Sequence, residues 1–490
     1  MRPIRVLSTS VGWLPFGAVA FARARDERKP VLLSIVASWC QWCRDMDGTT
    51  YADPAIATLI NECFVPVRVD ADERPDISDR YTLGGWPTTA FLTPGGAMLG
   101  GGTHVSVDRM QGVLRQVLDG FPAHADAPPF LPSAPVASSP PLPIETLVEA
   151  IFDGVDRDHG GFGFQPKFPL TAPLHLALDI WTETHDPRYE QIVVTSLDAI
   201  GWGGLYDDVD GGFFHYAGAR DWRLPHTEKL LETNAALIRV YLDAGEALGV
   251  SRFTDRAADA LRYVQTWLAE PADGGWYASQ EADDGYYGEP DAGVRRSRAA
   301  PAVARLQFAD SNAAMASATL HAARVFEDEG LRAFALTSLE RVLLAGYRPG
   351  AGAAHYNDGQ PRVRGLLVDQ AAMIAANLDA YEATGNVVYE MMAEELAAYA
   401  VRTMWDEAHG GFFDRADEGD LAMGLMRARL KPFVVNCDVA RALRRLARTS
   451  GDSAFGETAD AVLRAMAPLA RHHGPLAAHY VLAAGKPSLR

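Results

Sequence analysis

The sequence predicts an α/β domain followed by a longer all-α domain, and three observations carry this. An apolar run from Val31 to Val36 leads into Cys40-Gln41-Trp42-Cys43, the pattern of a buried strand that delivers two thiols to a helix start. Residues 122–143 shift to Pro, Ala and Ser without helical or strand period, as in a semi-rigid linker. Beyond them, apolar residues recur at helical spacing in twelve segments. The expected boundaries are therefore 1–121 for the α/β domain, 122–143 for the linker and 144–490 for the helical domain.

The 490 residues, 48% hydrophobic and 22% charged, have the composition of globular protein and suffice for two or three domains. A net charge of -18 argues against a nucleic-acid partner or an anionic membrane surface, both of which need concentrated Lys and Arg. No run approaches the roughly 18 apolar residues of a membrane span. Four cysteines, two of them in one motif, make no disulfide framework, so a reducing, cytoplasmic setting is expected.

Taken in order, Phe16 to Arg25 reads as an amphipathic helix ahead of the Val31 strand, and helix continues after Cys43. Asp53-Pro54 is an N-cap followed by a proline at the first helical position, starting a helix over Ala55 to Glu62. A strand follows at Phe64 to Val69, then a hairpin from Trp86 to Leu92 and Ala97 to Gly101. Val107 to Leu118 closes the domain as a helix. Cys63 reads as a small core residue.

A cysteine at the first turn of a helix lies beside unpaired backbone N–H groups and the positive dipole end, which favours thiolate. Cys40 is thus the expected attacking sulfur, and Cys43, one turn further in, the one that resolves a mixed disulfide. Half of a zinc site has the same spacing, but Cys63 and Cys437 stand alone and no second ligand pair follows. Pro87, opening an apolar run after Gly84-Gly85-Trp86, predicts a cis bond before an edge strand.

These motifs resemble those of thioredoxin domains, in which the proline matching Pro87 faces the disulfide; Trp42 and Pro87 then become expected partner-contacting residues. More closely, Trp39 to Cys43, Asp72-Glu73-Arg74-Pro75-Asp76 and Gly85-Trp86-Pro87-Thr88 are similar to the spermatogenesis-associated protein 20-like family. That resemblance implies an α/β thioredoxin-like N-terminal domain plus an all-α (α/α)6 toroid, and it continues through Gly161 to Pro169, Tyr206 to His215, Pro225 to Lys229, Asn234, and Tyr277 to Asp283. Two positions depart from the pattern. Ser34 stands where thioredoxins carry a buried acid, and Gln41 where the closer family usually has histidine.

The helical segments lie near 145–156, 172–185, 188–201, 228–248, 253–270, 310–327, 330–346, 367–384, 389–405, 434–448, 455–470 and 474–484. Paired in sequence, they predict six hairpins around a central pit. The element Gly-Gly-aromatic recurs at 160–162, 211–213, 274–276 and 410–412, with Gly350 to Tyr356 a loose copy. Loops of this kind on one face resemble those of six-hairpin carbohydrate enzymes, although their aromatics serve equally as core plugs.

His226 and Glu228 are expected in the first turn of a helix, pointing into the pit, where a histidine near a carboxylate can move protons. The same residues also suit helix capping. Asp207, His215, Asp283 and Asp369 are expected around a bound ligand. Sugar hydrolysis needs two carboxyls flanking one bond, whereas epimerisation beside a carbonyl needs a base and an acid on opposite faces. Asp156-x-Asp158 and Asp208-x-Asp210 fall short of a calcium loop, so neither metal nor cofactor is expected. The expected partners are a protein dithiol or disulfide and a carbohydrate-like small molecule. A non-catalytic binding scaffold is the remaining alternative.

Overall fold

The apolar run at Val31 does become the central strand of a sheet. The computed structural model describes residues 11–131, 140–419 and 422–485, in two compact units. In the first, the elements are β1 (Leu14–Pro15), α1 (Ala18–Glu27), β2 (Val31–Val36), α2 (Gln41–Gly48), α3 (Pro54–Cys63), β3 (Val65–Asp70), α4 (Pro75–Tyr81), β4 (Thr88–Leu92), β5 (Met98–Gly102) and α5 (Val107–His124). The strand order is β1-β3-β2-β4-β5. β2 runs parallel to β3 and antiparallel to β4, with Ser34 opposite Arg68 on one side and Thr89 on the other. Buried on both sides, β2 has no need of polar alternation and reads as an apolar run interrupted only by Ser34. Asp53 caps α3 as expected, its Oδ1 accepting the N–H groups of Ala55 and Ile56 at 2.9 Å each.

The expected boundaries need two corrections. α5 runs past residue 121 to His124, because Pro122 sits within its last turn and the chain stays helical around it. The middle of the expected linker, 132–139, lies outside the described residues. Second, residues 417–430 belong with the first unit, not with the helical one. Ala422 and Met426 are buried in the core with Val31, Leu33 and Tyr81. Tyr81 explains the docking: its hydroxyl donates to Gly96 O at 3.1 Å and accepts the Leu425 N–H at 2.8 Å. Gly96 (φ 83°) and Gly424 (φ 54°) meet backbone to backbone, and a Cβ on Gly96 would lie 2.4 Å from the Gly424 Cα. Nothing in helical periodicity announces such a contact.

The second unit contains α6 (Ile144–Asp153), α7 (Ala172–Thr184), α8 (Pro187–Gly201), α9 (Leu231–Leu248), α10 (Ser251–Tyr263), α11 (Asp284–Tyr287), α12 (Ala292–Arg296), α13 (Ala309–Val325), α14 (Glu329–Gly346), α15 (Leu367–Thr384), α16 (Val387–Met404), α17 (Phe433–Ser450), α18 (Ser453–Met466) and α19 (Ala478–Ala484). All twelve expected helices are present, and the short α11 and α12 are additions. α7, α9, α13, α15, α17 and α19 each pack on the next, and α19 returns to α7, so six helices close a ring. The others of the twelve pack around it, α8 on α7, α10 on α9 and so on, with α6 against α19. Tight turns join ring helix to outer helix. After α15, Gly385 takes the left-handed conformation (φ 68°) and Asn386 caps α16 through the Val388 N–H.

The longer returns from outer to ring helix carry the Gly-Gly-aromatic element, and its purpose is structural. Phe162, Phe213, Trp276 and Phe412 are all buried in the core. The Phe213, Trp276 and Phe412 N–H groups donate to Asn234, Asn312 and Asn436 at 2.7–2.8 Å. Each asparagine donates back to the same residue's carbonyl and to the carbonyl four positions earlier. The asparagine is the fourth residue of its ring helix in every case. Gln370 plays this part in α15 for Ala353, which makes the loose copy a genuine repeat. A buried amide thus satisfies loop groups that would otherwise be orphaned.

Candidate functional site

In the first unit Cys40 is the N-cap of α2, and its Sγ accepts the Cys43 N–H at 3.2 Å. That places the sulfur against the unpaired amides of the first turn. Both thiols are free and nearly buried, Cys40 at 4% exposure and Cys43 at 3%. Burial first, then the neighbouring Cys40, pushes the Cys43 thiol far up. Trp42 is exposed, edge-on to His104, and Trp86 is exposed, edge-on to Trp39. The Trp86–Pro87 bond is cis. Trp39 Nε1 donates to Asp72 at 2.8 Å, fixing the loop ahead of the thiols.

Asp70, at the end of β3, was not singled out from the sequence. Burial raises its carboxyl to about 7, with the Glu73 charge adding, against amide hydrogen bonds from Asp72 and Glu73. An aspartate ending a strand has no signature that separates it from an ordinary turn residue.

In the toroid, the expected placement of His226 and Glu228 needs correction. The helix begins at Leu231, not at 228. His226 lies in a two-residue strand paired with Tyr216–Ala217, and Lys229–Leu230 pair with Ser279–Gln280. The proline at 225 therefore opens a strand rather than a helix, because the preceding loop supplies an antiparallel partner. Extended geometry brings Glu228 to His215, Oε1 to Nδ1 at 3.0 Å. His226 stacks on Tyr216 at 4.0 Å between ring centres, and Tyr216 on Phe168 at 4.6 Å. Burial pulls the His226 imidazole down, which favours its neutral form.

A second histidine–carboxylate pair faces the same ring: His355 Nδ1 lies 2.8 Å from Asp369 Oδ1, and both residues are buried. Burial raises the Asp369 carboxyl to about 6. Asp310, second in α13, stands beside this pair. Glu232, second in α9, is exposed but within electrostatic reach of Asp310 and His215; the protein mass around it pushes its carboxyl up and the Asp310 charge adds. Phe168 sits edge-on to His215 at 5.8 Å, and Phe308 is 5.0 Å from His355. Each pair therefore has its own aromatic wall.

Two residues expected at the ligand are placed elsewhere. Asp207 is buried with its carboxylate bound by Lys229 Nζ at 2.7 Å and by Arg295 Nη1 at 2.7 and 2.8 Å. The pattern repeats in Asp156–Lys167 and Asp406–Lys431, where a loop aspartate holds a buried lysine. Asp283 is exposed and caps α11 through the Tyr286 N–H. Conversely, Glu232, Asp310 and His355 were missed. The signal available was an acid two residues before the buried amide, in Glu232-x-Asn234 and Asp310-x-Asn312.

The fold and these two sites define a thioredoxin-like domain joined to an (α/α)6 toroid of the six-hairpin glycosidase type. A family model for thioredoxin-like DsbH domains, described as a protein of unknown function, DUF255, matches residues 4–122. The chain is similar to spermatogenesis-associated protein 20: it is 32% identical to the Mus musculus protein over 307 residues, which are 56% of this chain and 39% of that one. It thus matches about two-fifths of the length of that curated relative. The toroid is similar in fold to cellobiose 2-epimerase from Bacillus thermoamylovorans, with a TM-score of 0.53 and 10% identity over 66% of this chain and 85% of the epimerase. It is also similar to an α-mannanase of Bacteroides thetaiotaomicron, with a TM-score of 0.51 and 12% identity over 70% of this chain and 96% of the mannanase. One fold thus carries both reaction types, and the fold alone assigns neither to this chain. Among the described residues, no helix is long and apolar enough to cross a membrane.

Proposed function

We propose that this protein couples a thiol–disulfide exchange site to a toroid that binds a carbohydrate-like ligand. The observation that carries the redox reading is the Cys43 N–H donating to Cys40 Sγ at the start of α2. Cys40 thiolate attacks a disulfide of a protein partner, forming a mixed disulfide and releasing one partner thiolate. Cys43, once deprotonated, attacks Cys40 Sγ; the Cys40–Cys43 disulfide forms and the second partner thiolate leaves. The partner disulfide is reduced and the dithiol oxidised. The exposed Trp42 and Trp86 offer the partner an apolar footing. The Cys43→Ser protein, mixed with a disulfide peptide, should accumulate a covalent adduct at Cys40, and the Cys40→Ser protein should not. Equal trapping by both variants would sink the assignment.

For the toroid, the two histidine–carboxylate pairs favour proton transfer over hydrolysis. Each carboxylate can fix its histidine's tautomer, so His215 and His355 suit base and acid beside a sugar carbonyl. The similarity to the epimerase fold supports this reading without carrying it. Mono- and disaccharides incubated in heavy water should exchange the hydrogen at the carbon next to the carbonyl, and His355→Ala should stop the exchange. Hydrolysis without exchange would favour the glycosidase reading instead.

A further inference from the structure

We infer that Asp310, His355 and Asp369 form a divalent-cation site in the ring. Each offers one donor atom, and the three donor atoms lie within 4.8 Å of one another. Donors around a small divalent ion bonded at about 2.0–2.2 Å sit roughly 3–4 Å apart, so an ion needs only a small inward movement of side chains. The elements that carry the donors are fixed independently. Asp310 belongs to the first turn of α13, Asp369 to that of α15, and His355 to the strand Ala354–Asn357 that pairs with Pro361–Arg364.

The Asp369 carboxylate gives the second, separate observation. The residue is fully buried, and only Oδ1 is occupied, by His355 Nδ1. Oδ2 is buried with no hydrogen bond of ordinary geometry, the Asp310 backbone N–H being a donor close to the carboxyl. A buried carboxylate oxygen without a well-formed hydrogen bond is costly, and a cation is one of the few groups that relieves it. Two carboxylates and one imidazole suit an ion that accepts oxygen and nitrogen together, Mn²⁺ or Zn²⁺ rather than Ca²⁺. Three protein donors leave coordination positions open, the arrangement of a site that takes water or the hydroxyls of a ligand. The expectation of no metal, drawn from incomplete aspartate loops, looked for ligands close in sequence; these are 45 and 14 residues apart.

With an ion bound, His355 is a metal ligand and not the acid or base of the carbohydrate reading, so the two are alternative states of the site, and the test uses the ion alone. Mn²⁺ is the probe, because thiolates at Cys40 and Cys43 compete poorly for it. Chelator-treated full-length protein titrated with Mn²⁺ should remove the free-ion paramagnetic resonance signal at one ion per chain and show a raised melting temperature. Asp310→Asn and His355→Ala should each weaken binding by about tenfold or more. Asp369→Asn should abolish binding, while circular dichroism and its metal-free melt establish that it is folded. Asp310 is only half-buried, so its variant tests the site even where the Asp369 variant fails to fold. Absence of stoichiometric binding to the wild type, or binding unchanged in Asp310→Asn and His355→Ala, would overturn the site.

Discussion

The dithiol site and the ring of carboxylates and histidines are built in opposite ways. Cys40 and Cys43 are delivered by one strand–helix junction, and the decisive hydrogen bond spans three residues. In the toroid, His215 and Glu228 come from one loop system, whereas His355 comes from a strand and Asp310 and Asp369 from the first turns of two ring helices. A local site survives changes elsewhere as long as its helix starts in the right place. A distributed site depends on every loop that holds a ring helix in register. The buried Asp–Lys pairs and the asparagine ties supply that register, which is why Asp207, on its face a ligand-binding residue, is spent on Lys229 and Arg295.

The sharpest way to break this comparison is Asp207→Ala. It leaves Lys229 and Arg295 buried without their carboxylate, and should cost about 3–5 kcal/mol in urea unfolding of the toroid. A variant of native stability that lost only ligand affinity would return Asp207 to the binding site.

Asp70→Asn tests the dithiol side, through pH. The folded carboxyl titrates near 7, above its ordinary 3.8, so the folded state binds the extra proton between those values. Stability from this group is therefore complete below about pH 4 and is lost as pH rises toward 7. Asparagine keeps an oxygen for the Asp72 and Glu73 amides and removes the charge. The variant should gain about 1–3 kcal/mol at pH 8 and nothing at pH 4. An equal change at both values would show that Asp70 is not titrating in this range.

The smallest effect belongs to a purely local feature. Asp53→Ala removes the α3 cap and should lower the stability of the first unit by about 1 kcal/mol, with the melt of the toroid unmoved. A shift in both melts would mean that the two units unfold together.

Much of the architecture was legible because it rests on local physics. The Val31 run, the Asp53-Pro54 start and twelve helical periods each encode an element within a few residues, and each formed where expected. The exception is instructive: Pro225 to Lys229 reads as a helix start by residue type, but pairing with Tyr216 and Ser279 extends it, and strand pairing is not a local property. The docking of residues 417–430 through Tyr81 was equally invisible, since it joins a side-chain hydroxyl to a backbone N–H 344 residues away.

The amino-acid sequence by itself determined the order of elements, the thiol at a helix start and the repeated Gly-Gly-aromatic turns, because hydrophobic period, capping and left-handed glycine are short-range effects. Only the tertiary structure decided which acids are held in ion pairs with lysine and arginine. Asp207 and Asp369 look alike along the chain, yet one faces Lys229 and Arg295 and the other faces His355 with an oxygen to spare. Whether a buried carboxylate is a strut or a site depends on which charges the fold sets beside it, and that is fixed by distance in space rather than along the chain.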